Sequence, residues 1–103
     1  MKISVIIPSY NRESTLIRAL NSVLNQSSKA DEVIVVDDGS SDNTSDIVRQ
    51  QFPSVKIIQQ ANRGVSHARN TGIKNAQFEW IALLDSDDEW LPEKLANIRQ
   101  QQL

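Results

Sequence analysis

With 103 residues, 39% of them hydrophobic and 23% charged, the chain has the balance of one small globular domain spanning residues 1–103, which excludes a disordered or fibrous class. A net charge of -2 gives no general attraction to nucleic acid or to an anionic membrane, so no nucleic-acid partner is expected. The absence of cysteine excludes thiolate chemistry and a disulfide framework, and the longest apolar runs, about five residues, fall far short of the roughly twenty that span a bilayer.

Ile3 to Ile7 is rich in β-branched residues and is predicted to form the first strand, ending at Pro8 because proline cannot donate to a central ladder. The apolar run after Lys2 is also too short for a secretion signal. The cytoplasm is the expected compartment, and a membrane-associated longer parent protein is compatible with it. From about Ser14, Leu16, Leu20, Val23 and Leu24 recur at helical spacing, with Asn11 or Ser14 as the expected cap and an end near Ser27-Ser28. Val33 to Val36 is a second β-branched run, and it ends in Asp37 and Asp38 before Gly39. Asp42-Asn43-Thr44 is expected to cap a short helix carrying Ile47 and Val48, which Pro53 stops near Phe52. Val55 to Ile58 is the third predicted strand. Val65, Ala68, Gly72 and Ala76 then fall on one helical face, whose small residues allow close approach to a sheet.

Trp80 to Leu84 has no polar interruption, as expected of a strand covered on both faces, and it runs directly into Asp85, Ser86, Asp87 and Asp88. If the chain stays extended there, Asp85 and Asp87 point the same way. Two converging hard oxygen ligands suit magnesium, manganese or calcium better than zinc. Leu91-Pro92-Glu93 is expected to open the last helix.

Strands alternating with helices predict a Rossmann-like, mostly parallel open sheet with right-handed crossovers. In the order 3-2-1-4, the switch point falls between strands one and four, where open α/β sheets take their ligands. Pro8 to Asn11, Asp37-Asp38 and Asp85 to Asp88 would converge there. No glycine-rich phosphate loop is present, so a phosphate has to be held by metal or by side chains. Asp85 and Asp87 are the candidate metal ligands, although D-S-D-D is equally the composition of a solvated turn capping the final helix. Asp37 has two readings, an Asx-type turn or a backbone-amide acceptor, and Asp38 is the better candidate for a base or ribose contact. Tyr10 either stacks on a base or covers the sheet end. Arg69 is placed to enter the site or to pair with a strand-end aspartate. His67, the one histidine, has no second histidine to make a metal pair and is read as a surface residue. Trp80 and Trp90 are read as packing groups, with Trp90 available to roof the pocket.

Four stretches, VIIPSYN at 5–11, VVDDGSSD at 35–42, NRGVSHARNTGI at 62–73 and LLDSDDEW at 83–90, together resemble the inverting family 2 glycosyltransferases of GT-A fold, in order and spacing. The resemblance implies a nucleotide-diphosphate sugar donor, often a UDP-sugar, and Mn2+ or Mg2+. It implies that Pro8 and Tyr10 line the nucleobase site, that Asp38 hydrogen-bonds the base and that Arg69 lies by the diphosphate. It also implies that Asp85 faces ribose and metal while Asp87 is the main metal ligand. Members of the family are about twice this long, so the chain is expected to be the nucleotide-binding half. The acceptor, a saccharide or lipid of unknown identity, and the catalytic base are expected beyond Leu103. An edge left open on the fourth strand would favour a homodimer. A non-catalytic nucleotide-binding or assembly module of the same fold is the alternative, and a nucleotidyltransferase is disfavoured because Pro8-Ser9-Tyr10-Asn11 lacks a glycine-rich loop.

Overall fold

The computed structural model of the protein describes residues 1–101. Four strands, β1 (Ile3–Ser9), β2 (Glu32–Asp37), β3 (Lys56–Gln59) and β4 (Trp80–Leu83), alternate with four helices, α1 (Glu13–Leu24), α2 (Thr44–Gln51), α3 (Val65–Asn75) and α4 (Lys94–Gln101). All strand pairs are parallel and the order is β3-β2-β1-β4, as the alternation of elements predicts. Ser4 to Ser9 pair with Glu32 to Asp37, and Ile3 to Ile6 pair with Trp80 to Leu83.

Alternation along β1 divides the core. Ile3, Val5 and Ile7 pack with Val33 and Val35 beneath Leu16, Leu20 and Val23 of α1, Val48 of α2 and Leu95 of α4. Ile6, Ile34 and Val36 face the other way, against Ala68 of α3. On that side the backbone of α3 lies close to the sheet. A Cβ on Gly72 would overlap Ile6 Cγ2, so the small residues of α3 serve the close approach that their spacing predicts.

Several boundaries differ from the sequence expectation for identifiable reasons. β1 continues through Pro8, which pairs with Val36. Ile6 accepts from Leu84 on the β4 side, and by alternation the missing N–H of Pro8 falls on that same side, where β4 has already stopped pairing. β4 is an edge strand rather than one covered on both faces: Trp80 and Leu83 are 42% and 47% exposed, and only Leu84, just beyond the strand, is buried. Val65 is exposed because it stands at the first turn of α3, beyond the end of the sheet. α4 begins at Lys94, after a turn at Pro92-Glu93. Among the described residues no helix is long and apolar enough to cross a membrane.

Candidate functional site

The carboxyl ends of β1, β2 and β4 and the first turns of α1 and α3 surround a cavity of about 370 Å3 lined by Pro8, Ser9, Tyr10, Arg12, Asp38, Val65, Ala68, Arg69, Asp85, Ser86 and Asp87. It lies at the switch point between β1 and β4. Pro8, Tyr10, Asp38, Arg69, Asp85 and Asp87 are on its wall, whereas Asn11, Asp37 and Asp88, also expected to converge there, are not.

The wall contributed by β1 is set by its exit turn. Asn11 adopts the left-handed conformation, with φ 51°, which a short polar side chain tolerates. Its Oδ1 accepts from the Ser41 amide at 2.8 Å and its own amide donates to Ser40 Oγ at 2.9 Å, which ties the exit of β1 to the exit of β2. Asn11 is therefore a bracing residue and not the cap of α1. The first amide of α1, on Glu13, donates instead to Asp42 Oδ2, while Glu13 Oε2 accepts from the Asn43 amide at 3.0 Å. Tyr10, next to this brace, is 48% exposed and lines the cavity.

The two acids after β2 divide the work. Asp37 is buried and accepts from the Ser40 amide at 2.9 Å and from Ser45 Oγ at 2.6 Å, so it closes the turn and steadies the start of α2. Asp38 lines the cavity. Its Oδ1 accepts from Gln60 Nε2 at 2.8 Å and the Arg63 amide at 2.9 Å, and its Oδ2 accepts from the Gly64 amide at 2.9 Å. Burial pushes this carboxyl up, but the bond from Gln60, the two amides and the nearby His67 together hold it below its ordinary value of 3.8. Asp38 is thus an anion fixed beside the N-terminus of α3, where the helix dipole favours it. Gly39 follows with φ 79°, and a Cβ there would come within 2.8 Å of the Asn62 backbone nitrogen, so the turn and the 60–64 segment are in direct contact.

This geometry aims α3. Arg69 lies one residue beyond buried Ala68, and its Nη2 donates to Asp85 Oδ1 at 2.9 Å. The Arg63 side chain takes no part in the cavity wall; that residue contributes its amide to Asp38. His67 is exposed, and its Nδ1 lies 3.2 Å from Gln60 Nε2.

Beyond β4 the chain does not stay extended. The Asp88 amide donates to Asp85 O at 3.1 Å, closing a turn over Ser86-Asp87, as the turn preference of aspartate and serine would have it. Asp85 and Asp87 still reach the same cavity because the turn, rather than strand alternation, brings them there. Sequence reasoning missed the residues that hang this turn in place. Ser22 Oγ accepts from the Trp90 amide at 3.1 Å; Gln26, 1% exposed, donates to Leu91 O at 2.7 Å and accepts from the Leu95 amide at 2.9 Å. Gln26, just past the end of α1, offered no periodic signal in the sequence. Trp90 packs against the α1 side of the core and is absent from the cavity wall.

The donor set fits a divalent cation of the magnesium or manganese kind in one specific way. Asp87 is exposed and Asp85 keeps Oδ2 clear of Arg69, giving two hard oxygen donors. Among the described residues there is no group of three or more histidine, cysteine or carboxylate side chains able to enclose an ion. Two carboxylates supplemented by ligand phosphate oxygens and water is the arrangement magnesium commonly takes. Tyr10 and Pro8 add apolar surface to the wall that also carries the carboxylates.

A family model described as "Glycosyl transferase family 2" matches residues 4–101. An uncharacterized glycosyltransferase of Nostoc sp. is 49% identical over 102 residues, which are 95% of this chain and 32% of that protein. The chain therefore spans about a third of the length of this curated relative. The structure of S. aureus TarS 1-349 in complex with UDP-GlcNAc superposes with a TM-score of 0.88 at 37% identity, covering 97% of this chain and 30% of that one. The mannosyltransferase PcManGT of Pyrobaculum calidifontis, in complex with GDP-Man and Mn2+, superposes with a TM-score of 0.82 at 30% identity, covering 96% and 31%. With the family match extending across every strand and helix that frames the cavity, the chain belongs to glycosyl transferase family 2.

Proposed function

We propose that this chain holds the donor side of a metal-dependent sugar-transfer site, binding a nucleotide-diphosphate sugar, with a UDP-sugar as the leading class. The observation that carries this reading is the convergence of Pro8, Tyr10, Asp38, Arg69, Asp85 and Asp87 on one cavity at the switch point of the sheet. The UDP-GlcNAc held by S. aureus TarS and the GDP-Man and Mn2+ held by the Pyrobaculum enzyme support it from related folds.

In this reading Tyr10 and Pro8 flank the base and Asp38, already fixed by its three donors, offers its remaining acceptor capacity to the base edge. Asp87 and Asp85 hold Mn2+ or Mg2+, which when bound neutralises the diphosphate and favours its departure as a leaving group. Arg69, which pairs with Asp85, would share it with that cation and offer its remaining donors to the phosphates.

The parent protein would then transfer the sugar with inversion, by direct attack of an acceptor hydroxyl. That attack requires a general base within hydrogen-bond reach of the hydroxyl. The carboxylates of the cavity all have donor-side duties: Asp38 holds the 60–64 segment, Asp85 pairs with Arg69 and Asp87 serves the metal. Residues 1–103, acting as one nucleotide-binding domain, are therefore assigned donor binding without transfer. Equilibrium dialysis against radiolabelled UDP-GlcNAc tests this: donor should be retained when Mn2+ is present, and no free or transferred sugar should appear. Retention equal with and without metal, or steady sugar release, would contradict the assignment.

A further inference from the structure

Among the described residues two buried side-chain polar atoms lack a hydrogen-bond partner, Ser9 Oγ and Arg69 Nε, and both residues line the same cavity. Buried polar groups in folded proteins are paired in the great majority of cases, so an unpaired one calls for an explanation. Arg69 already belongs to the donor-binding reading. Ser9 does not: it is the last residue of β1, 3% exposed, and its carbonyl accepts from the Asp38 amide at 2.9 Å.

Alternation places the Ser9 side chain on the same sheet face as Ile3, Val5 and Ile7, the face covered by α1 and α4, whereas Pro8 shares the face of Ile6 and α3. The hydrophobic stripe Ile3, Val5, Ile7 would be continued by another apolar side chain at this position. A hydroxyl there forfeits that packing and, in the free protein, gains no bond inside the fold. Ser86, also buried, and the carboxylates Asp85 and Asp87 line the same cavity, so an oxygen-rich ligand group bound there would share the cavity with Ser9.

We propose that Ser9 Oγ is an additional donor-binding contact, a hydroxyl on the floor of the cavity that donates to an oxygen of the nucleoside diphosphate. The proposal rests on the donor-site reading above. Uracil carbonyls, ribose hydroxyls and phosphoryl oxygens all have the required acceptor chemistry, and ligand truncation separates the nucleoside from the phosphates.

The test is a calorimetric titration of the chain and of Ser9→Ala with UDP, UMP and uridine in the presence of Mn2+, together with thermal melts of both proteins without ligand. Ser9→Ala should bind UDP roughly five- to tenfold more weakly, the effect of losing one hydrogen bond to a polar or charged ligand atom. Its melting temperature should be equal or higher, because no internal bond is lost. A deficit that persists with uridine assigns the contact to the nucleoside, and one that appears only with UMP or UDP assigns it to phosphate; either supports the proposal. UDP binding by Ser9→Ala at the level of the unaltered chain would overturn it. So would a lowered melting temperature or a failure to fold, since either would show that the hydroxyl serves the fold. Ser9→Cys, which is slightly larger and keeps a weak donor, should fall between the two proteins in affinity. If the unaltered chain binds no UDP with Mn2+, the donor-site reading itself fails, an outcome distinct from these.

Discussion

Arg69 Nη2 donates to Asp85 Oδ1 at 2.9 Å, joining α3 on one face of the sheet to the turn after β4. Both side chains remain substantially solvated, at 35% and 55% exposure, so the pair contributes little to folding, in the range of about 0 to 1 kcal/mol. Its consequence is positional: the guanidinium is held over the acid turn before any ligand arrives. Arg69→Ala should therefore leave thermal stability nearly unchanged while weakening UDP binding about tenfold or more, the loss of one charge-assisted contact to phosphate. Paired melting and titration experiments on that variant check it.

Asp38 should behave in the opposite manner. Its carboxylate satisfies the Arg63 and Gly64 amides, so Asp38→Ala strands both donors and should destabilise the fold by about 2 to 3 kcal/mol in urea denaturation.

The same residue gives a pH signature. A carboxyl held below its ordinary value of 3.8 supplies stability that is fully present above that value and is lost as the pH falls through the folded one. The stability gap between the unaltered chain and Asp38→Asn should be widest at neutral pH and should shrink below about pH 4. Urea midpoints measured on both proteins across that range check the sign.

Gly72→Ala pits two effects against each other. Alanine improves helix propensity by up to about 1 kcal/mol, but its Cβ would overlap Ile6 Cγ2 in the fully buried seam between α3 and β1. Overpacking of this kind costs about 1 to 3 kcal/mol and should win, lowering the melting temperature.

Gln26→Leu preserves volume but leaves the Leu91 carbonyl and the Leu95 amide unpaired in a buried place. A loss of about 2 to 4 kcal/mol is expected at about 1 to 3 kcal/mol per stranded group. Amide exchange at Leu95 should accelerate more than exchange in β1, which hydrogen-exchange measurements resolve.

Much of this was legible in the chain. The β-branched runs and helical spacings specify a parallel α/β sheet, and acids at two strand ends mark the crevice. What misled was local. Pro8 looked like a strand terminator because its side of the ladder was unknown; β4 stopping early leaves no neighbour that needs its donor. Trp80 to Leu84 read as a fully covered strand, but hydrophobic runs do not distinguish a central strand from an edge strand whose outer side is open. The polar clasps, Asp38 on the 60–64 segment, Asn11 on Ser41 and Gln26 on the final turn, join residues 22 to 69 positions apart, and no periodicity encodes such pairs.

The most direct test of the donor-site account is a calorimetric titration of the folded chain with UDP in the presence and absence of Mn2+, with Asp87→Ala as the control. Two protein carboxylates make a weak metal site until a diphosphate adds its oxygens, so metal and nucleotide should each strengthen the other's binding by the same factor. The account predicts that omitting Mn2+ or replacing Asp87 reduces UDP affinity by about tenfold or more while Tyr10 and Asp38 still permit weak nucleoside binding. UDP binding that is absent, or indifferent to both the metal and Asp87, would contradict it.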